Sequence, residues 1–387
     1  MRRALRRLLK FLLGLALIMG AGLIAAPYLL DQHYYHGPKS AHFDGEHFFN
    51  PDGEGHVAPI AVPSRAALIW SMLTGRGRAA WPSHVVVVSQ KPEARVLGSR
   101  LVATWIGHAT VLVQTQGLNI LTDPNWSETT GPFGIGPRRV AEPGVRFDDL
   151  PHIDAVVISH DHYDHLDVPT LQRLQARDHP RIFAGLGVDA LLAAHGITAQ
   201  PVDWTQNFQI SPDVEIISTR NHHWGSRWGY DARRSLWSAY VIKTPSGNIF
   251  FAGDTGPGDM KWPTEAARYG PIRLALIPIG AFRFAPGQMA IDQHVGPIDA
   301  VRVFEGLGAQ QAIAIHWGTW QLSTEGYDTP PKMLAEVMKC HGLDPQRFRA
   351  VRFGVPMDIA PLQRAAQAPT PADLADCLQR PAITELR

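Results

Sequence analysis

From about residue 95 onward, short apolar, β-branched runs recur, separated by Gly, Pro and Asp. LVATWI (101–106), TVLVQT (110–115), LNILTD (118–123), DAVVIS (154–159) and RIFAG (181–185) each predict a strand. So do VEIIST (214–219), SAYVIKT (238–244), NIFFAGD (248–254), LALIPIG (274–280) and AIAIH (312–316). Stretches of longer period predict helices over 168–177, 187–195, 297–306 and 331–340. Two early hairpins followed by alternating strands and helices predict an α/β fold with a two-sheet core covered by helices.

Ahead of this region the pattern changes twice. Residues 11–30 carry no charge, and residues 1–10 hold Arg2, Arg3, Arg6, Arg7 and Lys10 with no acid. Twenty apolar helical residues at about 1.5 Å each match a hydrocarbon core of about 30 Å. The segment therefore predicts an N-terminal transmembrane helix. Its basic flank places the N-terminus in the cytoplasm and the rest beyond the inner (cell) membrane, a periplasmic or extracytoplasmic domain. A cleaved signal peptide is the competing reading, and Pro27 after Ala25-Ala26 speaks against it. Residues 31–94 read as an irregular membrane-proximal segment with one short apolar helix at 66–73. Its His33, His36, His42 and His47 are read as packing or solvent residues. Residues 95–360 form the main domain. The Ala- and Pro-rich tail, 361–387, reads as a loosely packed helix.

Composition narrows the chemistry. A net charge of +1 over 387 residues makes no electrostatic case for nucleic acid. Cys340 and Cys377 are the only cysteines, too few for a zinc site, and read either as one bridge or as two thiols. The 18 histidines instead cluster at short spacing.

The strand DAVVIS runs directly into His160-Asp161-His162-Tyr163-Asp164-His165-Leu166-Asp167. His160 and His162, one residue apart in an extended turn, can face one metal. Asp164 and His165 can reach a second. Imidazole and carboxylate donors suit zinc. Later strands deliver the same donor types at their ends: His222 and His223 after VEIISTRN, Asp254 after NIFFAG, and His316 after AIAI. A single histidine at a strand end is usually structural. Three such ends after a His-x-His-x-Asp-His run are not.

His-x-His-x-Asp-His followed by His, Asp and His at strand ends resembles the metallo-β-lactamase superfamily over roughly residues 95–360. Finer text is similar to its N-acyl-phosphatidylethanolamine phospholipase D branch: Trp105-Ile106-Gly107-His108-Ala109-Thr110, Leu121-Thr122-Asp123-Pro124, Gly136-Pro137-Arg138-Arg139, Ile277-Pro278-Ile279-Gly280-Ala281, Gln293-His294-Val295 and Ile315-His316-Trp317-Gly318-Thr319. The resemblance implies an αββα sandwich with two Zn2+ ions at the edge between the sheets. One ion falls to His160, His162 and His223, the other to Asp164, His165 and His316, and Asp254 bridges. His223 is preferred because the branch carries a His-Trp pair there, and His222 stays open as the alternative. The implied activity is phospholipase D-type hydrolysis of a membrane lipid, giving phosphatidic acid and an N-acylethanolamine. Asp254, Asp164 and His294 would serve catalysis, and Tyr163 and His294 would meet substrate. His108 and Asp123 would orient ligands or hydrogen-bond at strand ends. Asp161 and Asp167 would hold the loop. Arg138 and Arg139 would pair with lipid phosphate or with surface acids. A lactone, lactam or ester substrate would use the same metals, and a non-catalytic metal-binding protein is a further alternative. Iron-dependent redox members of the superfamily carry Glu where His162 stands and a following flavin domain, and neither is present here. A homodimer is compatible with the sequence.

Overall fold

The computed structural model describes residues 2–30, 34–54, 78–229, 231–284, 292–363, 374–377 and 379–386. The expected helix at 66–73 lies outside them. The N-terminal helix is present as α1 (Arg2–Leu30). Among the described residues, however, no helix is long and apolar enough to cross a membrane. A helix thus stands at the expected place, and the expected membrane span is not supported.

The strands follow in chain order. β1 (Leu101–Gly107), β2 (Thr110–Thr115), β3 (Leu118–Thr122), β4 (Ala155–Ile158), β5 (Arg181–Gly185) and β6 (Gln200–Val202) build the first sheet. β7 (Asn207–Ser211), β8 (Val214–Thr219), β9 (Ala239–Lys243), β10 (Asn248–Phe251), β11 (Ile272–Pro278), β12 (Gln311–Ile315) and β13 (Phe348–Arg349) build the second. β14 (Pro356–Asp358) returns to the first. The two orders are β14-β1-β2-β3-β4-β5-β6 and β13-β12-β11-β10-β9-β8-β7. Each sheet begins antiparallel, and then β3 to β6 and β10 to β13 run parallel.

Strand side chains alternate between faces, and here both faces are apolar. Ile249 and Phe251 point into the layer between the sheets with Trp105, Val111, Ile120, Leu274 and Ile313. Phe250 and Ala252 point outward, where Trp262, Phe304 and Leu334 cover them. The outer face of the first sheet buries Leu121, Val156 and Ile158 under Leu171, Leu174 and Leu192. The covering helices are α2 (Val168–Asp178) and α3 (Val188–Ala194) on the first sheet, and α4 (Trp262–Ala267), α5 (Pro297–Gly306) and α6 (Thr329–Cys340) on the second. Helix, sheet, sheet, helix is the αββα order expected.

The tail differs from expectation. Cys340, the last residue of α6, is disulfide-bonded to Cys377, and Cys377 and Ile383 are buried against the second sheet's helices. The described part of the tail is thus pinned rather than loose.

Candidate metal centre

β4 is buried on both faces and stops at Ile158, so its continuation emerges at the edge between the sheets. There the chain turns tightly, with the N–H groups of His165 and Leu166 donating to the carbonyl of His162 at 3.1 and 2.8 Å. The carboxylate of Asp167 then accepts from Ser127 Oγ (2.8 Å) and Thr170 Oγ1 (2.5 Å), tying the turn and the start of α2 to the 125–127 loop. Asp161 accepts from Ser235 Oγ at 2.5 Å. Both acids anchor the loop.

The turn brings the candidate ligands into overlapping groups, with donor atoms within 4.8 Å of one another in each. One group is His160, His162 and His223. A second is His108, Asp164, His165 and His316. A third is His223, Asp254 and His294, and a fourth joins Asp123 to His160 and His165. The adjacent histidines part ways. His223 turns into the cluster with its Nδ1 3.0 Å from the carbonyl of Gln293. His222 turns out, with its Nδ1 3.0 Å from Asp52 Oδ1.

Asp254 sits at the middle. Its Oδ2 lies 3.1 Å from His165 Nε2, 2.9 Å from His316 Nε2 and 3.8 Å from His294 Nδ1. Asp164 Oδ2 lies 2.9 Å from His108 Nε2, 3.4 Å from His165 Nε2 and 3.5 Å from His316 Nε2. Yet the Nε2 atoms of His165, His223 and His316, Nδ1 of His294 and Oδ1 of Asp254 are all buried without a hydrogen-bond partner. Buried polar groups are normally satisfied. Five such orphans converging from five separate stretches of the chain fit cations held among them, and the N and O donors fit zinc.

The electrostatics carry the same sign. Burial alone would lower His316, but Asp254 and Asp164 hold it up at about 9. His165 is pushed well above the usual range by the same two carboxylates and Asp123, against its burial. Asp164 and Asp254 are held far below the usual range by the surrounding histidines, although burial opposes it. Burial pushes His160 and His223 well down, His162 and His294 to about 4 and His108 to about 3. The five lowered imidazoles are neutral, the form that binds metal, whereas His165 and His316 carry, between the carboxylates, protons that an ion would displace.

Support for the cluster comes from residues at the ends of the early strands. Asp123 accepts from Ser159 N (2.7 Å) and Ser159 Oγ (2.5 Å) and pairs with His165 Nδ1 at 2.6 Å. His108 contacts Asp164 through its ring, and its carbonyl accepts from Trp105 Nε1 (2.8 Å) and His316 N (2.9 Å). His108 thus hydrogen-bonds at a strand end through its carbonyl and touches Asp164 through its ring. The Arg138-Arg139 pair does not reach the cleft as a unit. Arg138 is exposed and paired with Glu128, and Arg139 is spent on the carbonyls of Ser127, Asn125 and Ala141.

A cleft of about 450 Å3 opens over His162, Asp164, Asp254 and His294. Pro132, Ile135, Trp224, Phe284 and Leu322 make much of its wall apolar. Tyr163 faces it with the Arg227 guanidinium 3.5 Å above its ring. Arg227 also donates to the carbonyls of Asp161 and Leu166 at 2.9 and 3.0 Å. Sequence reasoning passed over Arg227 because nothing in RWGYDARR separates it from its neighbours. A cavity of about 560 Å3 between Trp204 and Trp262 contains none of the clustered residues.

Comparison with known proteins agrees with this geometry. Residues 118–317 match the beta-lactamase superfamily domain. An N-acyl-phosphatidylethanolamine-hydrolyzing phospholipase D of Caenorhabditis elegans is 35% identical over 253 residues, covering 62% of this chain and 70% of the relative. An uncharacterized protein of Mycobacterium tuberculosis is 32% identical over 274 residues, covering 69% and 72%. Among solved structures, an isothiocyanate hydrolase from Delia radicum gut bacteria superposes with a TM-score of 0.53 at 22% identity, covering 67% of this chain and 99% of that one. The last likeness is one of fold.

Proposed function

The chain belongs to the metallo-β-lactamase superfamily, in its N-acyl-phosphatidylethanolamine phospholipase D-like branch, and from that premise we propose that it is a phospholipase D-type phosphodiesterase holding two zinc ions. Its substrate would be N-acyl-phosphatidylethanolamine. Water adds at phosphorus, the P–O bond to the N-acylethanolamine breaks, and phosphatidic acid is the other product.

In this reading His160, His162 and His223 hold one ion, Asp164, His165 and His316 hold the other, and Asp254 lies between them. Zinc bound there supplies Lewis acidity toward a phosphoryl oxygen and makes a nucleophile of water near neutral pH. The remaining work falls to the chain. Asp123 and His108 orient His165 and Asp164. His294, its Nδ1 unpartnered beside Asp254, hydrogen-bonds a phosphoryl oxygen. Arg227, stacked on Tyr163, offers positive charge to the anionic diester. The apolar wall from Pro132 to Leu322 receives acyl chain. The observation that carries the proposal is the combination at one cleft of overlapping donor groups, a guanidinium and an apolar wall, in a chain 35% identical to the nematode enzyme.

We place the enzyme at a lipid surface outside the cytoplasm. α1 exposes Leu9, Phe11, Leu17 and Ile18 beside the basic Arg3, Arg6, Arg7 and Lys10. The Cys340–Cys377 disulfide suits an oxidising compartment.

The test is product analysis. Zinc-loaded protein is incubated with N-acyl-phosphatidylethanolamine in mixed micelles, with Asp254→Asn as control, and products are identified by mass spectrometry. Phosphatidic acid and N-acylethanolamine should appear, and the variant should lose at least about 100-fold in rate, as expected when a group essential to a metal site is changed. A protein shown to hold two ions that releases neither product would sink the substrate assignment and send the search to lactones, lactams and esters.

A further inference from the structure

Residues 34–54, between α1 and the first sheet, are built into the domain. Phe43 and Phe48 are 1% and 0% exposed, packed with Trp204, Leu236 and Trp237. The N–H of Phe48 donates to the carbonyl of Arg233 at 2.8 Å, and His42 pairs with Asp203 at 2.7 Å. These contacts fix the arm, and its far end then reaches the loop that carries His222 and His223.

Two buried side chains make that contact. Asn50, 3% exposed, donates through Nδ2 to the carbonyl of His223 at 2.9 Å. Asp52, its side chain 5% exposed, binds His222 Nδ1 through Oδ1 at 3.0 Å. Its Oδ2 accepts from the N–H of Asp259 at 2.8 Å. Glu54 steadies Asn50 by accepting from its N–H at 2.9 Å. The fit leaves no slack. At Gly258, with φ +51°, a Cβ would fall 2.3 Å from Asp52 Oδ2 and 2.7 Å from His222 Nδ1.

The loop at 221–223 belongs to no helix or strand, so no ladder sets its orientation. At the bend at His222 the two rings part: Asp52 holds His222 on one side, while His223 turns to the carbonyl of Gln293 on the other. Asp52 also fixes the His222 ring where neither of its nitrogens joins any of the donor groups, whereas His223 belongs to two of them.

We infer that Asn50 and Asp52 are positioning residues of the metal centre: the N-terminal arm clamps the His222–His223 pair and so selects His223 for the group it forms with His160 and His162. This rests on reading that group as a metal site. The experiment keeps the two ideas apart by measuring zinc stoichiometry and affinity in the full chain by chelator competition. If the unsubstituted protein binds fewer than two ions, the reading of the centre fails. If it binds two, Asp52→Ala and Asn50→Ala should each weaken one ion by about 10- to 100-fold, the usual cost of losing a ligand-orienting partner, and leave the other unchanged. Asp52→Ala should have no further effect in a His222→Ala background, because its influence runs through His222. Unchanged affinity for both ions, equal loss of both, or an undiminished effect without His222 would each overturn the inference. Should Asp52→Ala fail to fold, Asp52→Asn carries the same test. It keeps the volume and an acceptor for Asp259 while taking the charged acceptor away from His222 Nδ1.

Discussion

Asp123→Asn is the most informative single change, because it alters protonation without altering shape. Asp123 is fully buried at the end of β3. Burial pushes its carboxyl upward, and the hydrogen bonds from His165 and Ser159 oppose that. Its Oδ2 faces both Ser159 Oγ and His165 Nδ1, so the ionised, acceptor-only form is the one the geometry suits. With an ion bound, the one proton left on His165 would sit on Nδ1, leaving Nε2, beside Asp254 and Asp164, as the ligand atom. The same logic extends one step further. Ser159 Oγ, donating to Asp123, accepts from His160 Nδ1 at 2.9 Å, which puts the His160 lone pair on Nε2, 2.8 Å from His162 Nδ1. An asparagine can keep its oxygen on Ser159 N–H only by turning its amide toward Ser159 Oγ and His165 Nδ1. His165 must then protonate Nε2, or hold Nδ1–H against another donor. Either outcome forfeits a charge-assisted hydrogen bond worth about 1.5–3 kcal/mol, or roughly 10- to 150-fold in affinity. Calorimetric zinc titration should therefore show one ion, that of Asp164, His165 and His316, weakened by about that factor. Circular dichroism should show the fold retained. Two ions bound as tightly as by the parent protein would refute the tautomer argument.

Two further changes test neighbouring steps. His223→Ala should cost one zinc ion, while His222→Ala should retain both with a smaller loss of affinity; metal analysis after gel filtration decides, and the reverse order would exchange the two assignments. Hydrogen bonds from His222 and the Asp259 N–H hold Asp52 at about 2 against an ordinary 3.8, overcoming burial. A carboxyl depressed in the folded state adds stability above its unfolded pKa and loses it as pH falls through the folded one. Asp52 should thus contribute roughly 2 kcal/mol at neutral pH, fading between about pH 4 and pH 2. Urea midpoints of the parent and Asp52→Asn should converge across that window, and a gap that persists at pH 2 would contradict it.

Much of the fold was legible because both sheets are covered on both sides. Runs such as NIFFAG and LALIPIG have no solvent face to interrupt them, so they stand out as buried strands. The strands that escaped notice are the short ones near sheet edges. β6, β13 and β14 have three residues or fewer, and β7 is largely half-exposed, so none shows a periodic pattern. α4 hides behind a proline in a six-residue stretch. The ligand run was legible because six residues of one turn hold four donors. The choice between His222 and His223 was not, since both are the same residue at the same strand end. The structure separates them through Asp52, about 170 positions upstream, a contact that leaves no local signature. Arg227 was invisible for a similar reason: its role comes from lying over Tyr163, which the loop places there.

The backbone around the cluster breaks the local rules by which the rest of the chain can be read. His108, Asp123, Ala281 and His316 all adopt left-handed φ values, 51°, 34°, 54° and 61°. For residues with a Cβ this costs on the order of 1–3 kcal/mol each, and no propensity argument predicts it at strand ends. Each site is held by its surroundings. The carbonyl of His108 takes two hydrogen bonds, the carboxylate of Asp123 three, and the N–H of His316 is bound to His108 itself. Three of the four carry side chains of the cluster, and the fourth, Ala281, lines the cleft. Strain concentrated there, and satisfied there, is what a preorganised centre requires: the donors are set by the fold before any ion arrives, so binding need not bear the cost of arranging them.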